Sequence, residues 1–237
     1  MPGSPELSLK GVTLQRGSFL LRADGVFMPG VHLLTGRIGS GKTTCGKVLA
    51  GITRPDRGEI SWSGTERVML LQNAGYHVTR ATVRDEAASW NTDPDTVIRL
   101  AGLSGKEELD ILFLSRGELK RLELASLLSR GSDLVVLDEP FNALDDDARR
   151  WVTRLIAEAQ NRIVIIISHD ITSLPPVHEL WETEEGVLKK IGRIPGDMRR
   201  WDKSPLLIRY LWQKGENPAG LSRSDLEEAV CRIHGSG

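Results

Sequence analysis

The chain has 237 residues and a formal net charge of −1. That length suits one or two α/β domains with a full buried core, and so balanced a charge argues against a broad electrostatic surface for DNA or RNA. The two cysteines, Cys45 and Cys231, lie far apart, which excludes a disulfide framework or a zinc site and fits a reducing compartment.

Residues Leu7 to Leu34 alternate and carry turn residues at Gly11, Gly17, Asp24-Gly25 and Pro29-Gly30, which predicts short antiparallel strands. Val31 to Leu34 is itself an apolar strand, and Thr44 to Ala50 reads as a helix. Gly58 to Gly64 brackets another strand, and Val68 to Leu71 is a short buried one ending at Gln72. The region from Ala74 to Phe113 is expected to be mostly helical. Thr82-Val83-Arg84-Asp85 has capping-box spacing, Asp93-Pro94 opens a helix, and Gly102 stops it. Leu119 to Leu128 predicts a third helix. Leu134 to Leu137 and Ile163 to Ile167 are unbroken apolar runs, suited to parallel strands covered on both faces. Between them Ala148, Trp151, Val152, Leu155, Ile156 and Ala159 recur at helical spacing, giving a strand–helix–strand crossover. Beyond Gly186 the chain is more polar, with one apolar helix near Leu206 to Leu211 and a cap at Ser222 or Ser224 before Leu226 to Ile233.

The longest apolar runs fall far short of the ~20 residues that cross a bilayer. Met1-Pro2-Gly3-Ser4-Pro5-Glu6 has neither the basic nor the apolar part of an export signal. The expectation is a chain with no transmembrane segment and no signal peptide, held at a membrane only by a partner.

Gly36-Arg37-Ile38-Gly39-Ser40-Gly41-Lys42-Thr43 fits G-x-x-x-x-G-K-[ST], a phosphate-binding loop, with a strand before it and a helix after it. Its glycines let successive N–H groups turn toward one anion, and the following helix aims its positive end at the same place. Lys42 supplies a mobile charge for β- and γ-phosphates, and the Thr43 hydroxyl is a ligand for Mg2+. Asp138-Glu139 closes the strand at Leu137, where one carboxylate can hold Mg2+ and the next can polarise a water. His169 comes after the strand Ile163 to Ile167 at the same sheet edge. There an imidazole can touch a γ-phosphate, although a lone histidine is as often structural. Gln72 ends a strand and says nothing alone. Leu114-Ser115-Arg116-Gly117-Glu118 opens a helix, and either an anion site or a plain helix cap accounts for it.

Together these segments resemble the ATP-binding-cassette (ABC) ATPase. The loop at Gly36 resembles Walker A, Gln72 the Q-loop and Leu114 to Arg121 the signature L-S-G-G-Q-x-Q-R. Asp133 to Glu139 resembles Walker B, Asn142-Ala143-Leu144-Asp145 the D-loop, and Ser168-His169-Asp170 the switch histidine. The resemblance implies an α/β P-loop NTPase fold: a mainly parallel core sheet, an N-terminal antiparallel β subdomain and a helical signature subdomain. It implies an ATPase domain over 1–192, its helical part at about 74–130, followed by a C-terminal helical extension over 193–237, which in the importer branch of the family contributes to dimer contact. It implies two copies bound head to tail around two ATP molecules. Gly36, Arg37, Gly39, Ser40, Gly41, Lys42, Thr43 and Thr44 then hold phosphate, while Thr43, Gln72 and Asp138 hold Mg2+. Catalysis falls to Glu139 on the water, His169 at the γ-phosphate and Gln72. Ser115, Gly117 and Glu118 reach the nucleotide from across the dimer, and Asp145 couples the two sites.

The pattern departs from the family in places. Arg116 replaces the first signature glycine and Glu118 the glutamine. The aromatic that stacks on adenine falls near Arg16, where there is none; the guanidinium of Arg16 and the ring of Phe19 are the candidates for that place, and a plain core role for Phe19 stays open. Pro205 to Leu211, Lys214-Gly215 and Ser222 to Leu226 are similar to the tail of energy-coupling-factor and cobalt-type importer ATPases, as are Gln72-Asn73 and Thr82 to Glu86. That branch implies uptake of a vitamin or metal ion through integral membrane subunits, and residence on the cytoplasmic face of the membrane. Trp90 and Tyr76 are candidates to line a groove for a membrane subunit, although buried packing is the commoner fate of such rings. The rival readings are a soluble ABC ATPase acting on nucleic acid or the ribosome, and a regulatory cassette. The chain lacks a coiled-coil insertion, a second cassette and a basic stripe, and it keeps Glu139 and His169.

Overall fold

The computed structural model describes residues 4–72, 78–159 and 161–235. In chain order the strands are β1 (Leu7–Arg16), β2 (Phe19–Phe27), β3 (Gly30–Thr35), β4 (Arg57–Trp62), β5 (Arg67–Leu70), β6 (Leu134–Asp138), β7 (Ile163–Ile167), β8 (Glu179–Glu184) and β9 (Val187–Arg193). The helices are α1 (Lys42–Leu49), α2 (Val83–Ser89), α3 (Pro94–Ala101), α4 (Arg116–Ser129), α5 (Asp146–Ala157), α6 (Leu206–Gln213) and α7 (Arg223–Gly235). Among the described residues the strands form one sheet in the order β4-β1-β2-β9-β8-β3-β7-β6-β5.

The part from β8 to β5 is parallel. β1 pairs antiparallel with β2 and β4, and this layer joins the rest through a parallel bridge, Arg22 to Val187. Residues 7–34 are therefore not all antiparallel, because β3 lies between β7 and β8 and runs parallel to both. Its run of Val31, His32, Leu33 and Leu34 is buried throughout, which suits an interior strand rather than a hairpin arm.

Alternation along the central strands feeds two cores. Val135, Leu137, Val164 and Ile166 face one side with Val152 and Ile156 of α5 and Ile208, Leu211, Leu226 and Ala229 of α6 and α7. Leu134, Val136, Ile163, Ile165 and Ile167 face the other with Cys45, Val48 and Leu49 of α1. Each fully buried aliphatic side chain contributes ~1.5–3 kcal/mol relative to exposure, so both layers are fixed on the sheet. The C-terminal residues thus share the main core, and Ser222 caps α7 by accepting from the Asp225 N–H at 3.3 Å.

A third cluster holds Val83, Ala87, Val97 and Ile98 of α2 and α3 against Leu122 and Ala125 of α4. The expectation of a mostly helical stretch from Ala74 to Phe113 needs correction. Among the described residues it holds only α2, α3 and a 3-10 turn at Ile111–Phe113, joined by irregular segments. Asp93 caps α3 and Gly102, at φ 67°, ends it, so helix signals so closely spaced leave short helices. Thr82 caps α2 by accepting from the Asp85 N–H at 3.1 Å, without the return bond of a full box among the described residues. Asn73, Ala74 and Tyr76 lie outside the described residues.

Candidate functional site

Parallel pairing sets the site. Leu34 of β3 and Asp138 of β6 both align with Ile167 of β7, so the segments leaving these three strands emerge at one sheet edge. From β3 comes the phosphate loop, from β6 Glu139, and from β7 Ser168 and His169. Gln72 comes two residues after Leu70 of β5, which aligns with Leu137, and so belongs to the same edge, exposed.

The loop turns on residues that need the left-handed side of φ. Gly41 caps α1 at φ 100°, and a Cβ there would stand 2.4 Å from the Phe19 ring. Phe19 therefore packs on the loop. Arg16 pairs with Phe19 at the end of the β1–β2 hairpin, and its guanidinium donates to the Gln15 carbonyl at 2.8 Å. Gly46 lets α1 lie close on the strands, since a Cβ would stand 2.7 Å from Ile167 Cδ1. Ser40 is buried, its hydroxyl bonded to that of Thr183 at 2.7 Å and its N–H to the Arg37 carbonyl at 3.1 Å. Exposed Gly39, at φ 80°, forms the tip with Arg37 and Ile38. Thr44 comes next in the first turn of α1, half-buried.

Lys42 Nζ donates to the Gly36 carbonyl at 2.8 Å and the Arg37 carbonyl at 3.0 Å, which folds the ammonium into the loop. Burial pulls its pKa below the ordinary lysine value, while Glu139 and Asp138 oppose this. The Thr43 hydroxyl donates to Asp138 Oδ2 at 2.6 Å. Burial raises the Asp138 pKa; the Thr43 bond works against the shift and the Glu139 charge with it. Hydroxyl and carboxylate together form an all-oxygen donor pair. This fits Mg2+, which takes one or two protein oxygens and fills its octahedron with phosphate oxygens and water.

Glu139 is the strained residue of the edge. Its φ is 48°, unusual without glycine, and its N–H donates to the Ile167 carbonyl at 2.9 Å. Its Oε1 lies 2.6 Å from His169 Nδ1, and the Ser168 hydroxyl donates to Oε2 at 3.3 Å. A carboxylate only accepts, so the imidazole presents N–H at Nδ1. His169 is exposed while Glu139 is buried, so the pair reaches from the sheet toward solvent.

Ser115 and Glu118 form a full capping box at the start of α4: Ser115 Oγ accepts from the Glu118 N–H at 3.2 Å, and Glu118 Oε2 accepts from the Ser115 N–H at 2.9 Å. Lys106 donates to Glu118 Oε1 at 2.5 Å. These bonds hold the Glu118 pKa down at about 2, the Lys106 bond first. Gly117 lies against the Ala143 carbonyl, since a Cβ on it would stand 3.4 Å away. Asp145 caps α5 by accepting from the Ala148 N–H at 2.8 Å. Among the described residues no hydrogen bond or ion pair joins Ser115, Gly117, Glu118 or Asp145 to the phosphate loop.

One edge therefore gathers the phosphate loop, Thr43, Asp138, Glu139 and His169, with Phe19 beside them. Sequence reasoning assigned no role to Ser168 or Thr183, which bond Glu139 and Ser40. Their signal is long-range pairing, as Thr183 meets Ser40 from 143 positions away.

The profile of the ABC transporter family matches residues 27–142. The chain is 28% identical over 236 aligned positions to an energy-coupling factor transporter ATP-binding protein of Thermotoga maritima, across 88% of this chain and 91% of that one. It is 32% identical over 153 positions to a cytochrome c biogenesis ATP-binding export protein of Escherichia coli, across 57% of this chain and 74% of that one. Among solved structures, a bacterial Atm1-family ABC exporter with ATP bound superposes with TM-score 0.72 at 16% identity, over 91% of this chain and 43% of that one. A structure of RNase-L inhibitor superposes with TM-score 0.66 at 25% identity, over 82% of this chain and 41% of that one. The chain thus spans about two fifths of each of those longer chains. Its fold is that of the ABC ATPases. The chain belongs to the ABC transporter family, as an ATP-binding subunit.

Proposed function

We propose that this subunit hydrolyses ATP at a head-to-tail dimer seam and that the cycle drives uptake of a vitamin or metal ion through integral membrane subunits. The observation that supports the seam is the split of the site. The phosphate loop, Asp138, Glu139 and His169 share one sheet edge, while among the described residues the Ser115 segment makes no bond to that loop. A second copy would bring its Ser115 and Gly117 to the γ-phosphate, with Asp145 beside the seam. Similarity to an energy-coupling factor relative supports uptake, and with it residence on the cytoplasmic face of a membrane.

In this reading Lys42 leaves the Gly36 and Arg37 carbonyls for the β- and γ-phosphates, and the loop N–H groups cradle them. Thr43, Asp138 and Gln72 would hold Mg2+, and the ion would supply positive charge to the phosphate oxygens. Glu139 takes a proton from the attacking water, with His169 and Ser168 orienting its carboxylate. Arg16 or Phe19 meets the adenine.

The test is affinity purification from the native membrane in detergent. The expected result is co-purification with integral membrane proteins and a second ABC ATPase subunit, either a copy or a different chain. Recovery with ribosomes or nucleic acid, and no membrane protein, would contradict the reading.

A further inference from the structure

The loop 143–145 and the loop 168–170 are joined by one side chain. Arg149, in the first turns of α5, donates through Nε to the Leu144 carbonyl at 3.1 Å and through Nη1 to Asp170 Oδ2 at 3.3 Å. The same Nη1 lies 3.4 Å from the Ser173 hydroxyl. Asp170 is held in turn. Its Oδ1 accepts from the Thr172 N–H at 2.8 Å, and its own N–H donates to Ser168 Oγ at 3.1 Å. Ser168 Oγ then reaches Glu139 Oε2, and His169, between the two, holds Oε1. At the other end, Ala143 is strained at φ 64° and its carbonyl meets Gly117 of α4.

We propose that Arg149 is a positioning residue: its guanidinium ties the 143–145 loop to the 168–170 loop and so fixes the Glu139 carboxylate for the water. The fork of a guanidinium suits this geometry. Two acceptors on different loops are met by two separate nitrogens, Nε and Nη1, of one rigid planar group, where a lysine has a single nitrogen on a flexible stem. Burial works against an ionised Asp170, yet its Thr172 bonds and the Arg149 charge hold its pKa below the ordinary value. The pair is partly buried, at 26% and 32% exposure, so it is shielded from full solvent screening. The proposal rests on Glu139 acting on water.

Arg149 also lines a cleft of about 560 Å³ beside α5 and the start of α7. The cleft gives small cations a way to the Arg149 position, which allows a rescue experiment. Arg149→Ala, Arg149→Lys and Asp170→Asn are compared with the wild type for steady-state ATP turnover and equilibrium ATP binding. The expected result for Arg149→Ala is a kcat lower by roughly 10- to 100-fold, the scale of a misplaced catalytic group, with ATP affinity within twofold of wild type. Millimolar guanidinium, below denaturing levels, restores part of the kcat, and sodium chloride at equal ionic strength does not. Where Arg149→Ala fails to fold, Arg149→Lys and Asp170→Asn carry the test, each lowering kcat at unchanged affinity. An unchanged kcat, an affinity that falls in step with kcat, or a loss that guanidinium leaves untouched overturns the role of Arg149. Glu139→Gln is the control that separates the two levels. If it turns over ATP normally, the assignment of Glu139 fails first and the positioning role falls with it.

Discussion

Lys42 shows how a single side chain prepares the site. Its ammonium is drawn toward the Gly36 and Arg37 carbonyls, and Asp138 and Glu139 stand near enough to favour its charge. In the proposed cycle an arriving phosphate would exchange two neutral acceptors for a dianion, the stronger partner for a cation. Lys42→Ala removes a charge-assisted bond worth ~1.5–3 kcal/mol, so calorimetry should show ATP affinity weaker by roughly 10- to 150-fold. Undiminished binding would remove Lys42 from the phosphate site. At this scale the sequence was most legible where the chemistry is local. The spacing from Gly36 to Thr43 carries its own geometry, and Asp138-Glu139 sits where a strand must end. Arg149 was not legible, because an arginine on a polar helix face looks like any solvated charge until the Leu144 carbonyl and Asp170 are seen around it.

Among the elements, α4 is fixed at its first turn by side chains of its own chain. The box of Ser115 and Glu118 satisfies donors that a helix start leaves open, and Lys106 adds a charge across to Glu118. The folded pKa of Glu118, about 2, lies below the ordinary 4.5. Its contribution to stability is therefore complete above pH 4.5 and is lost as pH falls toward 2. Denaturant unfolding followed across that window should show a shallower loss of stability in Glu118→Gln than in the wild type. Identical pH slopes would mean that the Glu118 bonds do not persist in solution. The same helix marks a limit of reading from sequence: apolar spacing predicts Leu119 to Leu128, and the helix begins at Arg116 because the cap lies inside the segment that looks functional. The β8–β9 hairpin escapes sequence reading altogether. Its turn uses Glu185 at φ 48° and Gly186 at φ 79°, where Asn-Gly is the usual signal. Glu182, Lys189 and Lys190 also blur the apolar alternation.

For the whole molecule, the sheet does two jobs. Its parallel middle fixes the C-terminal edge at which the phosphate loop, Glu139 and His169 emerge, and its two faces hold the helices that complete the subunit. That architecture was legible because Leu134 to Leu137 and Ile163 to Ile167 are too apolar to lie anywhere else. The place of β3 between β7 and β8 was not, since strand order depends on contacts far apart in sequence. No described helix is long and apolar enough to cross a membrane. Among the described residues the Ser115 segment makes no bond to the phosphate loop, and the proposed function has a second subunit complete that loop. The most direct measurement of that claim is ATP turnover per subunit as a function of protein concentration, with the dimer fraction followed by sedimentation in the same buffer. Turnover per subunit should fall on dilution in step with the dimer fraction. Full turnover by a preparation that sedimentation shows to be monomeric would contradict the account.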